Sequence, residues 1–365
     1  MEQQLSVVDL SRGEPLYTAA QSRELDRCAI EDHGIAGFKL MARAAKAAFS
    51  ALLQRWPKPV CIQVLCGTGN NGGDGFLIAE LAHMRGISVE VLQLGNEARI
   101  GGDAALARRH ALGGGVTIKA FDAAQLRTEG VIVDAMLGTG RGGDVRGDYL
   151  AAIEAVNATG AAVLAVDIPS GLCSDSGQVL GAAVRADLTV SFIGLKRGLF
   201  ALHAPDYVGE VQFASLEVPQ AVYDQLPPDC LRLELELLLE LLPPRPATAH
   251  KGLYGTVLVV GGDCGMAGAA AMAGEAALRT GAGLVRVATR PQHVSAIVAR
   301  TPELMPVGVD SGQELAPLVE GADVLVVGPG LGRSPWSEQL FRVALESRKP
   351  VLLDADGLNL LADGN

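Results

Sequence analysis

One stretch, residues 60–85, places the strongest constraint on the fold of this chain. Residues 60–66 are apolar and are bounded by a proline and a glycine, which predicts a buried strand of a parallel sheet. Residues 76–85 resume a helical pattern. Between them, positive φ angles and missing Cβ atoms are expected to let the backbone approach a ligand at five glycines: Gly67, Gly69, Gly72, Gly73 and Gly75. A strand, a glycine-rich turn and a helix N-terminus in this order are typical of an anion-binding site.

Two other interpretations of this stretch are open. The glycines satisfy the fingerprint G-x-G-x-x-G, which is typical of NAD-dependent dehydrogenases and requires an acid about 20 residues further on, at the end of the second strand. Glu90 lies at about that distance, but it lies inside the apolar run 87–94. The turn also contains Asn70, Asn71 and Asp74, which favour a cation or a sugar-phosphate. A simple helix-capping loop, in which Asn and Asp are common, is the structural alternative.

Composition limits the class of protein. With 365 residues, 49% of them hydrophobic, the chain is long enough for two domains with separate cores. A net charge of −11 argues against binding to nucleic acid or to acidic membranes. The sequence has no apolar run of about 18 residues and no signal-peptide pattern, which predicts a cytoplasmic protein. Its six cysteines have no C-x-x-C spacing, so we expect neither a zinc site nor a disulfide framework.

Two further strands are predicted to end in polar loops. Residues 131–137 contain Asp134 and lead into a second glycine-rich loop, residues 138–144, and residues 161–166 end at Asp167. Because the carboxyl ends of parallel strands meet at one edge of an open α/β sheet, we expect the three loops to form one ligand site. An aspartate buried at a strand end costs several kcal/mol unless it is paired, binds a ligand or takes part in catalysis. Cation ligand and general acid are therefore the roles predicted for these aspartates.

A change in composition divides the chain. Prolines flank a Leu/Glu-rich run, residues 231–242, which predicts a short connecting helix beside a domain boundary. We expect an N-terminal domain over residues 1–225, a linker over 226–249 and a second α/β domain over 250–365. Near the N-terminus, Thr18 and Gln21 form a capping-box pattern that predicts a helix to about residue 32.

Several motifs together resemble those of the NAD(P)H-hydrate epimerase family: Asn70-Asn-Gly-Gly-Asp-Gly75, Asp134, Gly138-Thr-Gly140 and Asp167-Ile-Pro-Ser-Gly-Leu172. From about residue 250 the chain resembles the beginning of an ADP- or ATP-dependent NAD(P)H-hydrate dehydratase, and many bacteria fuse the two as a bifunctional nicotinamide nucleotide repair protein. The resemblance implies an α/β fold in which an N-terminal Rossmann-like three-layer αβα domain is followed by the first part of a ribokinase-like α/β domain.

The resemblance also implies roles for individual residues. Asp167 is the implied catalytic residue, and Asn71, Asp134 and Ser170 are the implied ligands of a potassium ion, a hard cation that takes oxygen ligands. The implied substrate-binding residues are Asn70, Asn71, Gly72, Gly73, Asp74, Gly138, Thr139, Gly140, Arg141, Gly142, Gly143, Asp144, Asp167 and, in the second domain, Gly330. The second helix departs from the family, because Leu40-Met-Ala-Arg-Ala-Ala45 lacks a glutamate that is common there.

The implied function is metabolite repair. The R and S forms of hydrated NADH and NADPH are interconverted, and the full-length family dehydrates the S form with ADP or ATP and magnesium. The hydroxyl of this substrate is on the carbon beside the ring nitrogen. We expect Asp167 to protonate it while the nitrogen lone pair expels water, and water then returns to the other face of the ring. A homo-oligomer is also expected.

The second domain lacks two motifs of the family that it resembles. By residue 365 the sequence contains neither the His-Pro-Gly-Glu segment nor the Gly-Thr-Gly-Asp motif of the dehydratases, so we expect an incomplete second domain.

Two other functions are open for the N-terminal domain. A binding or scaffold protein on the epimerase fold is one rival, and it would not need the cation ligands and the acid that this chain has. An NAD-dependent dehydrogenase is the other, and no catalytic His or Tyr-x-x-x-Lys pair is evident.

Overall fold

The computed structural model describes residues 13–140, 143–239, 242 and 244–364, except for the side chains of residues 236 and 237. It divides into two compact units, Met1–Leu242 and Pro243–Asn365. In the part of the chain that the structure describes, no helix is long and apolar enough to cross a bilayer.

Unit 1 is built on a seven-stranded parallel sheet and a small three-stranded sheet. Its strands are β1 (Glu14–Tyr17), β2 (Ile62–Cys66), β3 (Val89–Gln93), β4 (Thr117–Ala120), β5 (Val131–Ala135), β6 (Ala162–Val166), β7 (Leu188–Phe192), β8 (Leu195–Lys196), β9 (Glu210–Ala214) and β10 (Cys230–Arg232). Its α-helices are α1 (Ala19–Arg27), α2 (Gly37–Arg55), α3 (Asn70–Met84), α4 (Gly102–Gly113), α5 (Asp148–Thr159), α6 (Gln220–Asp224) and α7 (Leu235–Leu239).

The large sheet has the strand order β4-β3-β2-β5-β6-β7-β9 and a hydrophobic core on each face. Alternate residues of its central strand β2 face opposite cores, as the period of two in a strand requires. Val64 packs with α2 and α3 residues such as Phe49 and Phe76. Leu65 packs with Ile153 of α5 in the second core. Helices thus cover both faces of a parallel sheet, which confirms the predicted α/β class.

Unit 2 is a five-stranded parallel sheet in the order β13-β12-β11-β14-β15, also with a core on each face. Its strands are β11 (Thr256–Val260), β12 (Leu284–Thr289), β13 (Met305–Gly308), β14 (Val324–Val327) and β15 (Val351–Leu353). Its α-helices are α8 (Ala267–Thr280), α9 (Val294–Arg300), α10 (Gly312–Glu320), α11 (Pro335–Glu346) and α12 (Asp356–Ala362).

The start of α3 differs from the sequence prediction. The helix begins at Asn70 rather than near residue 76, and none of the five glycines of this stretch has a positive φ. These glycines instead allow neighbouring backbone segments to approach each other closely. A Cβ on Gly67 would lie 1.9 Å from the Met136 backbone oxygen, and one on Gly72 would lie 2.1 Å from the Gly67 oxygen. The first turn of α3 therefore packs directly on the ends of β2 and β5.

Two other segments also differ in detail from the predictions. The Leu/Glu-rich run starts in β10, which pairs antiparallel with β1, and among the described residues of the run only Leu235–Leu239 are helical. Backbone pairing with β1 outweighs the local helix propensity there. The capping box of Thr18 and Gln21 is present, but α1 ends at Arg27 and continues as the π-helical segment Cys28–Asp32.

Candidate active site

A cavity of about 480 Å³ opens in unit 1 beside the carboxyl ends of β2, β5 and β6. Residues of the α1 and α2 helices also line it, among them Asp26 and Leu40. Parallel α/β sheets bind their ligands at this edge. Seven of the residues predicted from the resemblance line the cavity: Asn70, Asn71, Asp74, Gly138, Thr139, Gly140 and Asp167.

Six other predicted residues of unit 1 that the structure describes lie outside the cavity lining. Asp134 and Ser170 are fully buried, and Gly72 and Gly73 are buried within α3. Gly143 and Asp144 are exposed. The last two predicted residues, Arg141 and Gly142, lie outside the described residues.

Asp134 and Ser170 form a buried hydrogen-bonded cluster that joins the ends of β5 and β6. The Ser170 hydroxyl donates to Asp134 Oδ1 at 2.6 Å, and the Ser170 backbone N–H donates to Oδ2 at 2.7 Å. The Met136 N–H donates to Oδ1 at 3.2 Å. Burial raises the pKa of Asp134 to about 6, against the opposing effect of these hydrogen bonds.

Asn71 adds the end of β2 to this cluster. Its Nδ2 donates to the Leu137 backbone oxygen at 3.1 Å, and the Leu137 N–H donates to the Ser170 hydroxyl at 2.9 Å. The Asn71 Oδ1 atom is buried and has no hydrogen-bond partner among the described residues. A buried carbonyl oxygen without a donor is costly, and a cation would satisfy it.

The donor set fits a hard monovalent cation. Asn71, Asp134 and Ser170 offer an amide, a carboxylate and a hydroxyl oxygen, which are the ligands that hard cations take. Only one of the three residues carries a charge. One carboxylate together with two neutral oxygens suits a singly charged ion.

Asp167 follows β6 in a strained conformation, with a φ of 70°. Its Oδ1 atom accepts hydrogen bonds from the Lys196 ammonium, from the Phe192 N–H at 3.3 Å and from the Ser191 hydroxyl at 3.4 Å. The Lys196 side chain is only 3% exposed and forms a salt bridge with Asp167. These contacts fix the Asp167 carboxylate at the wall of the cavity.

Lys196 is a residue that the sequence analysis did not assign to the site. Its ammonium group also donates to the Ser191 hydroxyl and to the Phe192 backbone oxygen, both at 3.2 Å. A buried lysine needs such partners. The available signal was a lysine placed four residues after the end of the apolar strand β7, at the edge where the other polar loops meet.

Two more carboxyl groups line the cavity close to the Asp167–Lys196 pair. Burial raises the pKa of Asp74 well above its ordinary value, and the negative charges of Asp167 and Asp26 add to this effect. Burial also raises the pKa of Asp26 to about 6, while the Lys196 charge lowers it and the Asp167 charge raises it. The cavity therefore contains acids that change protonation state far from the usual range for aspartate.

Glu90 does not fulfil the dehydrogenase expectation. It lies within β3, outside the cavity lining, and its carboxylate is engaged by three side chains. Gln63 Nε2 donates to it at 2.9 Å, and Lys119 and Arg127 form ion pairs with it at 2.8 and 3.2 Å. An acid occupied in this way is not available for the ribose of a dinucleotide.

Gly330, the predicted residue of unit 2, lies in the loop after β14 and has a φ of 58°. Its backbone oxygen accepts a hydrogen bond from the Asp263 N–H at 2.7 Å. The Asp263 carboxylate pairs with Arg290 at 2.7 Å and accepts a hydrogen bond from Ser334 at 2.7 Å. Polar groups therefore meet at the carboxyl edge of this sheet as well.

Comparison with known proteins identifies the family. The family model of the YjeF-related protein N-terminus matches residues 37–198, and that of NAD(P)H-hydrate dehydratase matches residues 257–365. The bifunctional NAD(P)H-hydrate repair enzyme Nnr of Coxiella burnetii is 48% identical over 95% of this chain and 71% of its own length. The chain belongs to the bifunctional NAD(P)H-hydrate repair enzyme family.

A second relative agrees with this assignment, and a solved structure has a similar fold. Nnr of Escherichia coli is 41% identical over 95% of this chain and 67% of its own length. The crystal structure of the yeast protein ynu0, YNL200c, covers 60% of this chain and 96% of its own, with a TM-score of 0.52 and 18% identity, a likeness of fold alone. The family resemblance found in the sequence is thus confirmed. The cavity of unit 1 is therefore interpreted as a site of a repair enzyme.

Proposed function

We propose that this chain repairs hydrated NADH and NADPH. Unit 1 interconverts the R and S forms at its cavity, and unit 2 belongs to the part of the family that dehydrates the S form with ADP or ATP and magnesium. The relatives named as bifunctional repair enzymes and the two family matches support this proposal. The observation that carries it is the cavity itself, which Asp167 and Asn71 both line, with the Asp134–Ser170 cluster bonded to the loop that forms its wall.

The Asp167–Lys196 pair is proposed as the acid and base of the epimerisation. The hydroxyl of the substrate leaves as water when it receives a proton and the ring nitrogen donates its lone pair. In the salt bridge the proton is on Lys196, and the Asp167 carboxylate accepts its hydrogen bond. The pair therefore holds one transferable proton at the cavity wall, where it can be given to the leaving hydroxyl.

Asn71, Asp134 and Ser170 are proposed to hold a potassium ion. The partnerless Asn71 oxygen and the oxygen-only donor set support this part of the proposal. When bound, the ion supplies positive charge that offsets Asp134 and the phosphates of the substrate. Asn71 and the loop after β5 would then keep their positions at the cavity wall.

Asp74 is proposed to contact the substrate in its protonated form. Its raised pKa favours a neutral carboxyl group, which can donate a hydrogen bond to a ribose or carboxamide oxygen. Asn70 and the loop Gly138–Gly140 offer further amide, hydroxyl and backbone N–H groups beside the cavity. These groups are suited to the phosphates of a dinucleotide.

The direct test is an epimerisation assay on the purified chain. A sample enriched in one epimer of hydrated NADH is incubated without ADP, in potassium chloride or in choline chloride, and the epimers are separated on a chiral column. We expect interconversion far above the rate without protein and faster in potassium. An unchanged epimer ratio in both salts contradicts the proposed function.

The role of Asp167 is tested by Asp167→Asn in the same assay. Loss of the acid–base group is expected to lower the epimerisation rate by about 10² to 10⁴-fold. Asp148→Asn, at an exposed aspartate in the first turn of α5, is the control for the loss of one charge. A near wild-type rate in Asp167→Asn removes this residue from the mechanism. The expected homo-oligomer stays a prediction that light scattering tests.

A further inference from the structure

The α1 helix presents a polar face to the cavity that the proposed function has not used. Ser22, Arg23 and Asp26 all line the cavity from this helix. Asp26 makes no hydrogen bond or ion pair with any described residue. Its neighbour Arg27 cannot neutralise it, because that guanidinium is bonded to Glu24, Glu31 and Asp32. Asp26 is therefore a free carboxyl group at the wall of the site.

The surroundings of Asp26 give it an acidity suited to proton transfer. Asp26 is exposed to the cavity, but the protein around its carboxyl group replaces part of the water and so raises its pKa to about 6, while the Lys196 and Asp167 charges act on it in opposite directions. Its own charge in turn raises the pKa of Asp74 and of Tyr223. A carboxyl group with a pKa near the working pH is populated in both protonation states, as a general acid or base requires.

The reaction itself calls for two proton-transfer groups. Inversion at the hydroxyl-bearing carbon requires that the C–O bond breaks on one face of the ring and re-forms on the other. A single group fixed at one wall serves only the face that it touches. Asp167 and Lys196 reach the cavity from the ends of β6 and β8, whereas Asp26 reaches it from α1.

We propose that Asp26 is a second catalytic residue of the epimerase, which serves the ring face opposite to the Asp167–Lys196 pair. This inference rests on the function proposed above. In one direction the pair donates a proton to the leaving hydroxyl, the C–O bond breaks, and the nitrogen lone pair forms a C=N bond. Water then adds to the other face, a new C–O bond forms, and the water proton passes to the Asp26 carboxylate.

The reverse direction uses the same two groups with their roles exchanged. Protonated Asp26 donates to the hydroxyl of the other epimer, and the Asp167–Lys196 pair accepts the proton from the incoming water. No oxidant, reductant or co-reactant is consumed. Because Asp26 is open to the cavity, it can exchange its proton with solvent between two turnovers in the same direction.

The experiment follows oxygen and configuration at the same time. Wild type and Asp26→Asn are incubated with one epimer of hydrated NADH in H₂¹⁸O, and the incorporation of ¹⁸O is compared with the inversion rate. In Asp26→Asn we expect inversion to fall by about 10²-fold or more. Exchange of the hydroxyl oxygen should continue on the face that the Asp167–Lys196 pair serves, so the ratio of exchange to inversion rises.

Two further variants make the result specific. Asp26→Glu restores a carboxyl group and is expected to regain part of the inversion rate. Glu24→Gln removes a carboxylate from the same helix outside the cavity and should behave like wild type in both measurements. An Asp26→Asn variant with an unchanged ratio of exchange to inversion, or with wild-type inversion, overturns the role of Asp26. A wild-type chain that does not invert its substrate overturns the proposed function instead.

Discussion

Single residues in the cavity of unit 1 differ from ordinary surface acids in how their protonation is linked to folding. Asp26 has an ordinary pKa of 3.8 that rises to about 6 in the folded chain. The native state therefore binds this proton more tightly than the unfolded state does. Its stabilising contribution is complete below pH 4 and is lost as the pH rises through about 6. An uncharged residue at this position avoids that loss.

Asp26→Asn is accordingly expected to raise the melting temperature at pH 8 relative to wild type and to leave it nearly unchanged at pH 4. The charged and titratable groups around Asp26 are present in both proteins: Arg23, Asp74, Asp167, Lys196 and Tyr223. Loss of the Asp26 charge also removes its repulsion on Asp74, which adds to the expected gain at pH 8. Glu24→Gln gives the opposite sign. The Arg27 hydrogen bond lowers the pKa of Glu24, so this variant loses stability at neutral pH. If Asp26→Asn and wild type melt at the same temperature at pH 8 as well as at pH 4, the pKa of Asp26 is not raised in the folded chain.

Asn71 allows a separate test of the cation site through stability. A ligand that binds only the native state stabilises it by RT ln(1 + [L]/Kd). We expect wild type to melt at a higher temperature in potassium chloride than in choline chloride at equal ionic strength. Asn71→Ala removes the partnerless oxygen and should abolish that difference. Asn96→Ala, which removes only the cap of a short 3₁₀ helix, keeps it. A wild-type potassium response in Asn71→Ala excludes this residue as a ligand.

At the scale of elements, the strands and their polar ends were predictable because each is encoded locally. The apolar runs predict β2, β5 and β6, and the residues that follow them predict a shared site. The start of α3 was not predictable in the same way. Glycine costs about 1 kcal/mol in a helix, so a glycine-rich stretch suggests a turn. Only contacts with residues far away in the sequence show why glycines are needed inside the helix: a Cβ on Gly73 would lie 2.7 Å from the Met41 side chain, and one on Gly75 would lie 2.6 Å from that of Ala135.

The role of Lys196 in the site was also not predictable from local sequence patterns. Its partner Asp167 is 29 residues away in the sequence, and the salt bridge exists only because β6 and β7 are adjacent in the sheet. The place of Asp26 at the cavity wall depends on the fold in the same way, since α1 is far in the sequence from the Asp167 and Lys196 that line the same cavity. Local patterns specify which residues can react, and the topology specifies which of them meet.

The packing of α3 gives a prediction at this scale. In Gly72→Ala the new Cβ would lie 2.1 Å from the Gly67 oxygen, a backbone atom that cannot move without displacing the end of β2. We expect a loss of about 1 to 3 kcal/mol in stability and a large loss of epimerisation, because Asn71 and Asp74 move with the helix. Denaturant unfolding and the chiral assay measure the two effects.

A matched glycine controls for the substitution itself. Gly113 is the last residue of α4, and a Cβ there has no atom within 4 Å. Gly113→Ala should leave stability unchanged or raise it by up to about 1 kcal/mol. If Gly72→Ala is as stable as Gly113→Ala, close packing is not what requires glycine at position 72.

At the scale of the whole molecule, each unit has its own sheet and its own cores, so the two should respond separately to damage. The sequence has two tryptophans, Trp56 in unit 1 and Trp336 in unit 2. Trp336 lies in the same hydrophobic cluster as Phe341, whose side chain is fully buried. In a Trp56→Phe background the remaining fluorescence therefore reports on unit 2, while epimerisation reports on unit 1.

Phe341→Ala in this background is expected to destabilise unit 2 by about 3 to 5 kcal/mol, since it removes a buried aromatic ring and leaves a cavity. The Trp336 transition should shift to lower denaturant concentration while the epimerisation rate stays at that of the parent. Leu52→Ala, in the core of unit 1, should do the reverse and shorten the lifetime of epimerase activity on heating. If Phe341→Ala lowers both the Trp336 transition and the epimerase activity in step, the two units unfold as one and the cavity of unit 1 depends on the core of unit 2.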